Sequence, residues 1–187
     1  MANRNTQGFG LIPQGTIGST PATGGQGKYL IDAGYNADLF QGTAVLSSAG
    51  YIITAQAAIT NTCIGVLNGI FYNDATTKKP TFANFYNQPI TPANSEDITA
   101  FVIDNPNQLF VASIDAAAAQ AEYGKTYGLT VTAAGSEISG QSSSELTYAT
   151  RHATNNQWRL VRTAEDPENN DIAAANCSVV VAHNLNQ

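Results

Sequence analysis

Short apolar runs recur along most of this chain, separated by clusters of Gly, Pro, Asn, Asp and Ser. Tyr29-Leu30-Ile31 predicts a first short strand. Phe40 to Leu46 and Tyr51 to Ala55 flank Ser47-Ser48-Ala49-Gly50, the pattern of a hairpin around a small-residue turn. Cys63 to Leu67 and Ile70 to Tyr72 flank Asn68-Gly69, a tight-turn dipeptide that predicts a second hairpin. Ile98 to Val102 and Leu109 to Ile114 read as a strand pair, with Asp104-Asn105-Pro106-Asn107 as its turn. Four more strands are expected at Leu129 to Thr132, Leu146 to Tyr148, Trp158 to Val161 and Cys177 to Ala182. One short α-helix is expected: Ser113 or Asp115 caps it, Ala116 to Ala121 propagate it and Gly124 ends it. At about ten residues it is too short to stand alone and must lean on the β core. Many short strands and one helix predict a mostly β fold, a small β-barrel or β-sandwich.

Two stretches break this pattern. Residues 1–27 carry seven glycines (Gly8, Gly10, Gly15, Gly18, Gly24, Gly25 and Gly27) with Pro13 and Pro21, which disfavour regular elements. Phe9, Leu11, Ile12 and Ile17 are nevertheless interspersed, and a purely disordered tail carries fewer apolar anchors. The stretch therefore reads as an extended N-terminal arm that docks on a neighbouring subunit, ahead of a β-rich domain over 28–187. Fully stretched, such an arm reaches on the order of 90 Å. The second stretch, Asn73 to Asp97, is turn-rich and long, which is usual for a contact-making loop. Its aromatics Phe82, Phe85 and Tyr86, with Phe71 and Tyr72 just before it, are the second set of candidate contact residues.

The chain has 187 residues, which fits one domain or one domain with an arm. Only 12% of residues are charged, about half the usual share, and the remaining polarity comes from Asn, Gln, Thr, Ser and Gly. A surface with few long charged side chains loses little desolvation energy or rotamer entropy on contact, which suits association with partners. The net charge is −6 and the eight basic residues are scattered, so there is no cationic stripe for nucleic acid. No apolar stretch is long enough to span a membrane, and no apolar run follows a basic start. The expectation is a soluble protein made in a cytoplasm, with neither nucleic acid nor membrane as partner.

Candidate chemistry is sparse. A Ser-His-acid triad would have to use His152 or His183, and no G-x-S-x-G elbow exists; both histidines read as surface or strand-end residues. Cys63 and Cys177 lack CxxC spacing; they read as two buried thiols, with a single disulfide as the alternative. Together with His152 and His183 they lack the spacing of a zinc site. Asp166, Glu168 and Asn170 mimic the alternate ligands of a calcium loop. The pattern then fails, with Asp171 where Gly belongs and Cys177 where Glu belongs. No phosphate loop is present, and Asn176-Cys177-Ser178 is a glycosylation sequon inside an expected strand. No cofactor and no catalytic or metal-binding residues are expected, and a binding or structural role is favoured over an enzyme.

Several passages resemble small virion structural proteins of tailed phages from marine and cyanobacterial hosts. The opening NRNTQGFGLIPQGTIGSTPATGG looks like their N-terminal segment, and LFQGTAVLSSAGYII resembles a hairpin shared with capsid-decoration barrels. IGVLNGIFYNDATTKKPTFANFY is similar through Gly65-Val66, Gly69, Phe71-Tyr72 and Thr77 to Phe82. AFVIDNPNQLFVASID is similar at Val102, Asp104, Pro106 and Phe110; SGQSSSELTYAT and the closing WRLVRTAEDPENN … SVVVAHNLNQ complete the likeness. The resemblance implies a multi-copy β protein of the virion, on the capsid surface: a decoration or cement protein whose partners are the major capsid protein and itself, as a homotrimer. A neck, tail or fibre-base position, a lectin-like carbohydrate-binding module and a hydrolase of envelope polymers are the alternatives.

Overall fold

The structure is a computed structural model and describes residues 2–18, 25–55, 62–130 and 135–184. Among these residues the chain forms β1 (Ile12–Thr16), β2 (Gly27–Ile31), β3 (Ala44–Ser48), β4 (Tyr51–Thr54), β5 (Gly65–Asn73) and β6 (Pro80–Ala83). There follow β7 (Ile98–Ile103), β8 (Gln108–Ile114), β9 (Thr126–Leu129), β10 (Leu146–His152), β11 (Trp158–Thr163) and β12 (Cys177–His183). The only helical pieces among them are short 3-10 turns at Ala93–Ser95 and Gln120–Glu122. The fold is therefore mostly β, a small barrel with a second sheet against it.

The barrel is the cycle β8-β10-β9-β11-β12, closed by antiparallel pairing of β12 with β8 from Cys177↔Ile114 to Ala182↔Leu109. Alternate residues fill it: Phe110, Ala112 and Ile114 of β8, Trp158 and Leu160 of β11, Cys177, Val179 and Val181 of β12. This is the period-2 pattern that a strand with one face on a core demands. Trp158 is fully buried and meets Phe110 edge-on at 5.5 Å. β12 is buried at every position, which explains its nearly unbroken apolar run.

The second sheet runs β2-β7-β5-β3-β4, with β6 added to the far half of β5. Ile31, Ile70, Ile98, Ala100 and Val102 point to its own core, around fully buried Tyr86. The turn of the β3–β4 hairpin places Ala49 (φ 50°) and Gly50 (φ 87°) in the left-handed region, the geometry of a two-residue turn that matches strand twist. Ala44, Val66 and Ile103 of this sheet pack into the barrel's core cluster with Leu11, so one side of the sheet's strands helps to fill the barrel core while the sheet keeps its own core beside it.

Four expectations need correction. The α-helix is absent among the described residues. Asp115 N–H donates to Leu146 O (3.0 Å), Asp115 Oδ1 accepts from Tyr148 N–H (2.8 Å), and Ala118 N–H donates to Ile172 O (2.8 Å). The neighbouring strand β10 and the turn at Ile172 thus take up groups that a helix needs, and Ala119 is fully extended (φ −138°, ψ 163°). Asn68-Gly69 is not a turn: β5 runs straight through it, with a register shift between Leu67 and Gly69 along β7. Pairing on both edges of a nine-residue strand outweighs the local turn preference. β7 and β8 are not partners; the Asp104–Asn107 turn carries the chain from the second sheet to the barrel.

The fourth correction concerns the N-terminal stretch, which is not a free arm over residues 2–18. β1 pairs antiparallel with β8, from Ile12↔Val111 to Thr16↔Gln108, and Leu11 is 1% exposed. Asn5 N–H donates to Asn169 Oδ1 (2.7 Å) and Asn5 Nδ2 to Ser178 Oγ (3.0 Å). Residues 131–132 of one expected strand, and Met1 and residues 19–24 of the expected arm, lie outside the described residues.

Candidate docking surfaces and groove

The structure separates the nine candidate contact residues into three groups. Leu11 and Tyr86 are core residues. Tyr86 donates its hydroxyl to Tyr35 O (2.7 Å) and exchanges backbone hydrogen bonds with Leu39. Tyr72 is half-buried against the second sheet's core, and Phe85 is half-buried and stacks on Phe40 at 5.6 Å. The remaining five, Phe9, Ile12, Ile17, Phe71 and Phe82, reach the surface to different degrees.

Two surfaces result. On the barrel side, Ile12 is 43% and Ile17 48% exposed, on and just beyond β1. Each directly follows an anchor that faces inward: Ile12 follows Leu11 in the core, and Ile17 follows Thr16, 7% exposed. Ile17 N–H is tied to Asn107 O (2.8 Å), so the strip is held in place by its own domain.

The other surface is the outer face of the second sheet. Register places Phe82 opposite Phe71, Phe71 opposite Thr99, and Thr99 opposite Leu30. One step along, Gly69 lies opposite Phe101 and Phe101 opposite Lys28. Phe82 is 73% exposed; its ring lies 4.8 Å from that of Phe71 and 6.0 Å from that of Phe101. Between Phe82 and Phe101 runs an open groove of about 470 Å³ with Gly69 on its floor and Asn68, Asn84 and Gln26 on its sides. A smaller cleft of about 180 Å³, bordered by Phe9, Ile12 and Gln41, begins on the other side of Asn68.

Ionisable groups outside these surfaces serve the fold. Glu122 is 8% exposed and accepts from Lys125 Nζ (3.0 Å) and Tyr127 OH (3.1 Å), with Arg151 at 3.9 Å. Burial works to raise its pKa, but the hydrogen bonds from Lys125 and Tyr127 and the two positive charges prevail and hold it below the usual range. Burial, then the bond to Glu122, pushes the Tyr127 hydroxyl up. Arg151 also lies 4.3 Å from the Tyr148 ring centre.

The cysteines are buried free thiols; burial pushes Cys63 up to about 12 and Cys177 to about 11, so neither is a nucleophile at neutral pH. Cys63 Sγ meets His183 Nε2 at 3.6 Å, and His183 is wedged against Trp158, ring centres 4.3 Å apart. His183 thus closes β12, the strand-end position expected of it, but it is buried and not at the surface. His152 is exposed, and its Nδ1 accepts from Thr154 N–H (3.2 Å). No three His, Cys, Asp or Glu side chains gather to hold a metal among the described residues. The segment around Asp166, Glu168 and Asn170 receives the residues that precede β1: Arg4 bridges to Glu168 (2.6 Å), and Asp166 Oδ2 accepts from Asn169 Nδ2 (2.8 Å).

Burial, followed by the nearby Asp115 charge, raises the pKa of Glu145, and its Oε2 is buried with no hydrogen-bond partner. Asp115 is occupied by the Tyr148 backbone, and neither carboxyl borders the two grooves.

The groove residues Gly69, Asn68, Asn84 and Phe101 escaped the sequence reading. Phe101 and Leu30 lie in strands that are apolar in both phases, so the pattern alone does not say which phase faces out. Gly69 has the local chemistry of half a turn, which hides its place in β5. Among the described residues, no helix is long and apolar enough to cross a membrane. No protein family model, no curated protein and no solved structure matches this chain.

Proposed function

We propose that this chain is a structural protein of a tailed-phage virion, a decoration or cement protein that binds the major capsid protein and stabilises the shell. The observation that carries this reading is the exposed aliphatic strip of Ile12 and Ile17, held on a rigid edge strand of the barrel. A pre-ordered apolar strip binds without a further ordering cost. The low charge content lowers the desolvation penalty of laying this surface against another protein. The ionisable clusters are consumed by packing, which favours contact over catalysis. The sequence resemblance to phage decoration proteins points the same way.

The mechanism is mechanical. Packaged DNA pushes outward on a shell, and a rigid body lying across adjacent capsomers resists their separation. Many equivalent sites make individually modest contacts sufficient. Closed symmetry suits such a module, and a homotrimer is the proposed assembly.

The test is co-sedimentation of the purified protein with shells assembled from the major capsid protein. The wild type is expected to bind in stoichiometric multiples. The Ile12→Ser/Ile17→Ser double variant, whose targets are surface residues, is expected to keep its circular dichroism spectrum and bind about tenfold more weakly, a loss of about 1.4 kcal/mol. A wild-type protein that stays in the supernatant, or a double variant that binds as well as wild type, overturns the reading.

A further inference from the structure

We infer that the groove between Phe82 and Phe101 is a binding site for a neutral oligosaccharide. The site lies on the second sheet and uses none of the Ile12–Ile17 strip, so it stands or falls separately from capsid binding.

Three features carry the inference. The first is the aromatic pair. The rings of Phe82 and Phe101 are near-parallel, 18° between planes, with centres 6.0 Å apart. That spacing is too small for a sugar to slip between them, since each stacking contact needs about 3.5–4 Å. The free face of Phe82, backed by Phe101, is therefore the platform on which the C–H face of a pyranose ring can lie. Phe82 is 73% exposed, so the platform is open to solvent.

The second feature is the floor. Gly69 is the β5 residue opposite Phe101, on the same outward face. Any larger side chain there would stand in the groove. A Cβ would also lie 3.0 Å from Ala83 O, so the position is tight as well as open. The groove exists because this residue has no side chain.

The third feature is the polar lining, which consists of carboxamides. Asn84 Nδ2 donates to Ser139 O (2.7 Å), which fixes the amide and leaves its carbonyl oxygen as an acceptor. Asn68 Oδ1 accepts from Gln41 Nε2 (2.9 Å), which leaves its NH2 as a donor. One oriented acceptor and one oriented donor beside an aromatic platform match the vicinal hydroxyls of a sugar, which both donate and accept. No residue lining the groove is ionisable. An anionic ligand finds no cation in the lining; Lys28, across β2 from Phe101, stands outside it. A purely apolar ligand would leave the amides without partners. A neutral sugar satisfies both halves of the surface.

The experiment is saturation-transfer NMR on the full chain with maltohexaose, cellohexaose, laminarihexaose and tetragalacturonate. At least one neutral hexasaccharide is expected to bind with a Kd of about 1 mM or tighter. Phe82→Ala and Asn84→Ala are each expected to weaken that binding about tenfold, and Lys28→Ala to leave it unchanged. Circular dichroism confirms that the variants stay folded, as their exposed positions predict. Absence of binding by all three neutral sugars, wild-type binding by Phe82→Ala, or binding of tetragalacturonate alone with loss in Lys28→Ala would each overturn the assignment.

Discussion

Phe82 and Phe101 stack on each other although their strands are not neighbours. β6 and β7 lie on opposite edges of β5, so the rings reach each other across the outer face of that strand. Gly69 leaves a gap in the outer face, and the two aromatic rings border the groove that results. Gly69→Ala is expected to lower stability by about 1 kcal/mol, because its Cβ must displace Ala83 O and the edge strand β6. Phe82→Ala, by contrast, should change stability by less than about 1 kcal/mol, because the ring is mostly in solvent. Urea denaturation of the two variants checks this order.

The N-terminal segment is a structural part of the barrel, so its removal should be felt in folding. Leu11→Ala is expected to destabilise by about 2–5 kcal/mol, the range for deleting a fully buried leucine side chain. Deleting residues 1–18 removes β1 and the Asn5 hydrogen bonds as well, and should cost more than Leu11→Ala. Chemical denaturation of the truncated chain measures it. A truncated protein as stable as the full chain would show that β1 is dispensable.

Glu122 makes stability depend on pH in a definite direction. Its folded pKa is depressed, so its contribution is present above the ordinary glutamate pKa and is lost as pH falls through the folded value. Glu122→Gln is expected to cost about 1–3 kcal/mol at pH 7, because it removes the charge that Lys125 and Arg151 face. The difference from wild type should shrink as pH drops below about 4. Thermal melts at pH 7 and at pH 3 provide the comparison.

Glu145 has the opposite sign. Its folded pKa is raised by burial and by Asp115, so the protonated form suits the fold. The stability it contributes is present below the ordinary glutamate pKa and is lost as pH rises through the folded value. Glu145→Gln should therefore raise stability at pH 7 by about 1 kcal/mol, the scale of relieving one buried unpaired carboxylate oxygen. The gain should fade in acid. A loss of stability at pH 7 would contradict this account.

Both thiols should be inert in the native protein. Cys63 and Cys177 are fully buried and stay protonated at pH 8. Ellman's reagent is expected to report no accessible thiol in buffer and two in guanidinium chloride.

Strand positions were legible in the sequence wherever an apolar run coincided with a barrel face. Trp158 to Val161 and Cys177 to Ala182 fall on β11 and β12 because the barrel buries Trp158, Leu160 and every residue of β12 whatever their partners. Partner choice was not legible. Asn68-Gly69 has the local chemistry of a turn, yet pairing along β5 overrides it; the alanines after Asp115 favour a helix, yet Leu146 O and Ile172 O claim the backbone there. The candidate contact residues divided for the same reason. Phe82 and Tyr86 look equivalent in a turn-rich loop, and only the second sheet decides that one is outside and the other inside.

β8 holds β12 along one edge and shares the other between β1 and β10. Its neighbours Ile12 and Val180, both registered on Val111, are translated nearly the whole length of this sequence apart. A ribosome must therefore release β12 before the ring can close, so the emerging chain carries an open β8 edge from the appearance of Ile114 until Cys177–His183 follows. Such long-range closure is slow, and an unpaired edge invites pairing with other chains. High-level expression should thus be limited by association of unfinished chains, and slower translation or lower temperature should raise the soluble yield.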